Sequence, residues 1–278
     1  MKRLLFPLVL FSAASMVISC NDQPATEPTA ETTPATPQVK SEPVTYKDDT
    51  VTLQGMIAFD ANDSSKRPAI LVVPEWWGLV DFTKQRAEEL AKLGYIAMAV
   101  DMYGNGKVAQ DPKDAGAMAM PFYQNPQMAK ARLEAALNEL KKHPNTDTSR
   151  IAAIGFCFGG TMVLNAAKLG ENFDAVVSFH GGLEGVKPDK NLLKAKVLVC
   201  HGLNDSFVPQ AQVDMFKKQM DSVGADYTLK TYEGATHAFT NPDATETGKK
   251  FNLPISYNAA ADTASWNDMK EFFGRTLR

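Results

Sequence analysis

Cysteine and histidine are scarce in this chain, with three Cys and four His in 278 residues. Three cysteines cannot staple a small secreted scaffold, and no Cys/His cluster has metal-ligand spacing. An excess of charge of one sign is also lacking. Lys plus Arg total 29 against 32 for Asp plus Glu, a net charge of −3. No basic surface of the extent that nucleic-acid binding needs is implied. No apolar run reaches the length of a comfortable bilayer span. With 44% hydrophobic and 22% charged residues the composition is globular. That excludes a wholly disordered chain, a fibre and a multi-span membrane protein.

Large apolar residues are nearly missing from one stretch, residues 21–45, which reads NDQPATEPTAETTPATPQVKSEPVT. Such a segment cannot bury enough surface to offset its own ordering entropy, so a tether with a reach of roughly 30 Å is expected. Ahead of it lie Lys2 and Arg3, an apolar stretch over residues 4–18, and Ser19-Cys20, the pattern of a secretory signal peptide. A cysteine directly after the small residue resembles the lipobox of bacterial lipoproteins. The resemblance implies that residues 1–19 are removed and that Cys20 is acylated and heads a lipidated tether, residues 20–45. The protein would then be anchored in the bacterial cell envelope, on the periplasmic or surface side, without spanning the membrane. Each buried methylene of an acyl chain contributes about 0.8 kcal/mol. Losing the two positive charges of Lys2 and Arg3 takes the net charge from −3 to −5, so lipid contact would rest on the acyl chains at Cys20 alone.

The rest, residues 46–278, has the size of one α/β domain and carries no internal repeat. Residues 51–59 alternate with period two and predict an edge strand, while residues 69–73, 95–100, 150–154, 174–179 and 196–200 are short, nearly continuous apolar runs. Such runs suit central parallel strands covered on both faces. Helical patterns over residues 81–93, 127–142, 159–169, 209–223 and 257–277 alternate with them. The alternation predicts a mostly parallel sheet with helices on both faces, whose chemistry sits beyond the carboxyl ends of the strands.

At one such end Gly155-Phe156-Cys157-Phe158-Gly159-Gly160 joins a strand to a helix. This is the nucleophile elbow with Cys in the usual place of Ser: glycines permit the tight turn, and the helix amino end favours a thiolate. A nucleophile needs a base. His143 closes a charged helix, and His180 and His201 end strands before glycine, whereas His237 lies in a loop after the last two-period strand. That loop position and the order nucleophile, acid, histidine favour His237, with His180 and His201 as the alternatives. Asp205, after the run ending in His201-Gly202 and ahead of Pro209, is placed to hold the imidazole in one tautomer; helix capping is its other reading. Glu75 stands between an apolar strand and Trp76-Trp77, where burial would raise its pKa and let it share a proton with a thiol; a solvated turn residue is its other reading.

Together Glu75-Trp-Trp-Gly78, Asp101-Met-Tyr103-Gly104, the Cys157 elbow, His201-Gly-x-x-Asp205 and Gly234-x-x-His237-x-Phe239 resemble the dienelactone hydrolase family. The resemblance spans the body from about Val51 to the end and implies an α/β-hydrolase fold with a Cys157, Asp205, His237 triad. It also implies that Glu75 holds the resting thiol until substrate arrives. The expected reaction is cleavage of a small ester or lactone through an acyl-thioester, with the backbone N–H groups of Phe158 and Trp76 as oxyanion hole. No cofactor or metal is required, no nucleic acid is involved, and the expected working unit is a monomer.

Dienelactone hydrolases proper bind the substrate carboxylate with arginines after the Tyr103 and Phe239 motifs. This chain has Asn105, Gly106 and Asn241 there, and Lys107 does not reproduce a bidentate fork. A substrate other than dienelactone is therefore expected. Trp77, Tyr103, Tyr123 and Phe239 are the candidates for lining its pocket, with residues 116–126, including Met118, Met120 and Phe122, as a cover. Two other classes fit less well. A silent binding lipoprotein would be expected to have lost a triad member. A thiol-redox protein would need a resolving cysteine, and the only candidate, Cys200, falls in a strand.

Overall fold

A computed structural model describes residues 36–278. The signal sequence and the acylation expected at Cys20 lie outside the described residues, as does most of the expected tether. Eight strands form one sheet: β1 (Val39–Asp48), β2 (Val51–Asp60), β3 (Arg67–Val73), β4 (Ile96–Ala99), β5 (Thr146–Phe156), β6 (Ala175–Phe179), β7 (Lys196–Gly202) and β8 (Tyr227–Tyr232). Their order across the sheet is β1-β2-β4-β3-β5-β6-β7-β8. β1 and β2 are antiparallel to each other and β2 to β4, while β3 to β8 run parallel.

Helices make most of the crossovers between the parallel strands, because parallel neighbours cannot be joined by a tight turn. The helices are α1 (Asp81–Lys92), α2 (Pro112–Gln124), α3 (Pro126–Leu140), α4 (Phe158–Lys168), α5 (Gln210–Ser222), and, after the last strand, α6 (Ala244–Phe251) and α7 (Ala259–Thr276). Successive strand residues point to opposite faces, so both faces of the sheet must be covered. Leu71 and Val73 of β3 join Phe122, Leu133, Met162 and Phe216 of α2 to α5 on one side. Ile70 and Val72 join Phe82 and Leu90 of α1 and Phe272 and Phe273 of α7 on the other. This two-sided burial is what the continuous apolar runs required.

Two expectations are corrected. Residues 39–45, expected in the tether, belong to β1, which pairs with β2 along its full length from Val39–Asp60 to Asp48–Val51. Only part of β1 faces inward, with Tyr46 buried, so its Lys, Glu and Pro residues look like linker in composition. The outermost strand is accordingly β1, and β2 lies inside it. Pro43 and the charged side chains suit that edge, because they discourage pairing with another chain. α6 was not expected, since eight residues offer little more than two turns of periodicity.

Candidate active site

The carboxyl ends of the parallel strands bring the site together. After β5 the chain turns at Cys157 (φ 52°, ψ −115°) and enters α4 at Phe158. A left-handed φ on a non-glycine residue costs energy, and the surrounding backbone holds it there. The glycines around it are required by close approach. A Cβ on Gly155 would lie 2.2 Å from the backbone carbon of Gly159, and one on Gly159 would lie 2.3 Å from the carbonyl oxygen of Val73. The Cys157 N–H donates to the carbonyl of Phe179 (3.0 Å) and to Nδ1 of His180 (3.1 Å).

His237, in the loop after β8, has Nε2 3.0 Å from Cys157 Sγ and Nδ1 2.8 Å from Asp205 Oδ2. Asp205 follows β7 and is buried. Its other oxygen, Oδ1, accepts from the N–H groups of Phe207 (2.9 Å) and Val208 (3.2 Å). Asp205 Oδ1 thus braces the turn ahead of α5 and does not cap the helix, whose N-cap position is Pro209, while Oδ2 is left for His237. Burial opposes a charge on His237, but the neighbouring Cys157 and the hydrogen bond that Nδ1 donates to Asp205 outweigh it and raise the imidazole pKa to about 10. The ring is therefore held as an imidazolium against Cys157 Sγ.

Glu75 is fully buried beside the same cavity, and burial raises its pKa to about 7, against the Asn241 hydrogen bond and the positive charge of His237. Asn241 Nδ2 donates to Glu75 Oε2 at 2.7 Å. The implied grip of Glu75 on the thiol is not present: Cys157 Sγ bonds His237, and Glu75 bonds Asn241. The physical reason lies in the partners at hand: Asn241 Nδ2 claims Glu75 Oε2, while the His237 ring sits against Sγ. Asn241, seen in the sequence only as a missing arginine, is therefore the residue that orients Glu75.

The N–H groups of Phe158 and Trp76 donate no hydrogen bond among the described residues, so both remain open donors next to Cys157. Their frames are tied together, because Gly159 N–H donates to the Pro74 carbonyl (3.0 Å) and Tyr103 O–H donates to the Trp76 carbonyl (2.8 Å). The Asp101 motif gains its meaning here. Its buried carboxylate accepts from the N–H groups of Gln54, Tyr103, Gly104 and Gly106, which shapes the loop that delivers Tyr103.

A cavity of about 510 Å³ opens over Cys157 and His237. Trp77 and Tyr123 line it as expected, along with Ala119 and Met120 of α2, which forms the expected cover. Trp77 is steadied by α6 through a stacked contact with Phe251, 5.8 Å between ring centres. Two candidates are corrected. Phe239 is wholly buried against His180 and Tyr232, because the loop carrying His237 must anchor itself in the core. Tyr103 supports the Trp76 peptide and does not line the cavity. Phe122 and Lys107 are also outside the lining, the first packed in the core and the second exposed.

Two other histidines, His180 and His201, lie near the site. His180 is buried, and burial together with the charge of His237 holds its pKa well below the usual imidazole value. Since its Nδ1 accepts from Cys157, its proton sits on Nε2, which meets Thr240 Oγ1 at 2.7 Å. It is thus a neutral brace between the elbow and the loop of His237, a role the sequence signalled only by a strand-ending His before glycine. His201 is buried, and burial lowers its pKa. Cys200 is fully buried, and burial pushes its thiol up to about 12, which removes it as a redox partner for Cys157.

Sequence comparison matches residues 53–277 to the dienelactone hydrolase family. Among curated relatives, a putative carboxymethylenebutenolidase of Aquifex aeolicus is 31% identical over 63% of this chain and 77% of its own. A probable 2-oxo-3-(5-oxofuran-2-ylidene)propanoate lactonase of a Bradyrhizobium species is 28% identical over 74% of this chain and 82% of its own. Among solved structures, a dienelactone hydrolase-like promiscuous phosphotriesterase from metagenomic libraries superposes with a TM-score of 0.80. It is 32% identical and covers 86% of this chain and 99% of its own. An acylaminoacyl peptidase at 18% identity, with a TM-score of 0.66, shares the fold alone. With the family match running from β2 to the end of α7 and the sheet and elbow in place, this chain belongs to the dienelactone hydrolase family and has its α/β-hydrolase fold.

Proposed function

We propose that the protein is a cysteine hydrolase that cleaves a small uncharged ester or lactone through an acyl-thioester. One observation carries the reading: the unbroken hydrogen-bonded chain Cys157 Sγ, His237, Asp205 at 3.0 and 2.8 Å, opening onto the cavity. The lactone-hydrolase names of the relatives agree with it.

The Cys157 thiolate attacks the carbonyl carbon, forming the S–C bond and placing negative charge on the carbonyl oxygen. The open N–H groups of Phe158 and Trp76 receive that charge, the kind of contact whose loss costs about 10²–10³ in rate. Collapse breaks the bond to the leaving oxygen, which takes the proton from His237 Nε2. The neutral imidazole then accepts a proton from water, the hydroxide attacks the thioester carbon, and the acid leaves as the thiolate re-forms. Asp205 keeps the Nδ1 proton facing itself, so Nε2 always faces the reacting atoms. Glu75, buried next to His237, adds a titratable negative charge that stabilises the imidazolium.

Turnover of a chromogenic short-chain ester is expected in the wild-type protein and its loss in Cys157→Ala and His237→Ala; equal rates in wild type and Cys157→Ala would overturn the reading. We further propose the lipid anchor at Cys20. Detergent-phase partitioning should be lost in Cys20→Ala, and an aqueous wild-type protein would refute it. No helix among the described residues is long and apolar enough to cross a membrane.

A further inference from the structure

The wall of the cavity carries an unusual set of charges. Its lining includes the carboxylates of Glu75 and Glu184 and no lysine or arginine. The one cation in that lining, the His237 imidazolium, is already engaged by Asp205 and Cys157, so a substrate carboxylate would find no free counter-ion there. The lining also contains Asn165 of α4 and Gln212 of α5, whose amide groups have a defined orientation. Asn165 Oδ1 accepts from the N–H of Val186 (3.0 Å), and Gln212 Oε1 accepts from the N–H of Leu183 (2.7 Å). A backbone N–H can only be met by an amide oxygen, so each NH₂ group must point the other way.

Those NH₂ groups have no partner among the described residues. The buried side-chain polar atoms lacking partners there are Thr83 Oγ1 and Ser178 Oγ, so Asn165 Nδ2 has open space beside it. In a residue only 2% exposed, that space is the cavity. Glu184 belongs to the same loop, between Leu183 and the closely packed Gly185, where a Cβ would lie 2.6 Å from Asn165 Oδ1. Cys157, Thr161 and Asn165 follow at four-residue spacing along one face of α4, which puts Asn165 about 12 Å along the helix from the thiol.

Two amide donors and one carboxylate acceptor are the complement of neighbouring hydroxyl groups, which accept from the first and donate to the second. We propose that Asn165, Gln212 and Glu184 form a polar subsite for an uncharged polyhydroxylated part of the substrate, so that the ester cleaved is an acylated polyol or sugar. The proposal rests on the hydrolase reading for the reaction but makes a separate claim about binding.

The test is titration calorimetry on Cys157→Ala protein, which leaves esters uncleaved, with a xylose monoacetate and with cyclohexyl acetate of similar size. The sugar ester is expected to bind about tenfold more tightly, the gain of two or three net hydrogen bonds. Adding Asn165→Leu or Gln212→Met should bring the two affinities within about twofold of each other. Gln212→Met, at a half-buried position of α5, serves if Asn165→Leu does not fold. Equal binding in Cys157→Ala, or a preference that survives both substitutions, would overturn the subsite. Because binding is read without turnover, this outcome is independent of whether wild-type protein hydrolyses the chromogenic ester.

Discussion

Asp205→Asn tests how the site keeps its proton in the right place. Asp205 has two separate duties: Oδ1 accepts from the N–H groups of Phe207 and Val208, while Oδ2 accepts from His237 Nδ1 at 2.8 Å. An asparagine must leave its oxygen on the two backbone donors, because an NH₂ group there would leave both unsatisfied. Its NH₂ therefore faces His237 and forces Nδ1 to be the acceptor. The imidazole proton moves to Nε2, and Nε2 can no longer take the Cys157 proton across the 3.0 Å contact. Misplacing the tautomer in this way costs about 10⁴-fold in kcat in the serine-protease triad. A thiol ionises more readily than a serine hydroxyl, so a loss of about 10³–10⁴ is expected here, or about 4–5 kcal/mol of transition-state stabilisation. The assay is kcat and KM on a chromogenic ester. Thermal stability should change little, since the two backbone donors keep their acceptor. A variant with kcat within tenfold of wild type would refute the assigned role of Asp205.

Three further outcomes are expected. Glu75 has its folded pKa raised from 4.5 to about 7, so the folded state binds an extra proton between those values and loses stability as pH rises through them. Glu75→Gln, which keeps an acceptor for Asn241, should gain up to about 3 kcal/mol at about pH 8 and almost nothing at about pH 4. Denaturation curves of the two proteins that stay parallel across that range would contradict it. Gly159→Ala should yield little folded protein, judged by circular dichroism and soluble yield, because its Cβ would strike the backbone carbonyls of Val73 and Pro74. Arg86 is buried and bridges Asp262 (2.5 Å) and the Thr240 carbonyl (2.8 Å), in the segment that follows His237. Arg86→Met should cost up to about 3 kcal/mol in urea unfolding by leaving the half-buried Asp262 carboxylate and the Thr240 carbonyl without their partner, and a loss under about 1 kcal/mol would show the pair to be dispensable.

The residues of the site were legible because each lies just beyond the carboxyl end of a strand readable in the sequence, where this sheet places its chemistry. Cys157 announced itself through glycines that the elbow requires, Asp205 and His237 through chain order. The inward-facing half of β1 was not legible, since strand pairing compensates for a composition that, read locally, resembles a tether. Phe239 and Tyr103 were misassigned for a related reason. Proximity in sequence to His237 and to the Asp101 loop does not say which side of the backbone a side chain leaves, and that is decided by what packs behind it.

By itself the amino-acid sequence determined the α/β layering, the order of the strands along the chain and the identity of the reacting groups, because these depend on periodicity and on chemistry carried by single residues. Only the tertiary structure decided that Glu75 pairs with Asn241 across 166 positions of chain, and that His180 braces the elbow. It likewise decided that Asn165 and Gln212 turn free amide groups toward a cavity that Glu75 and Glu184 also line. Those facts depend on which atoms already have partners, and a partner from a distant element is settled only when the sheet and helices close around it.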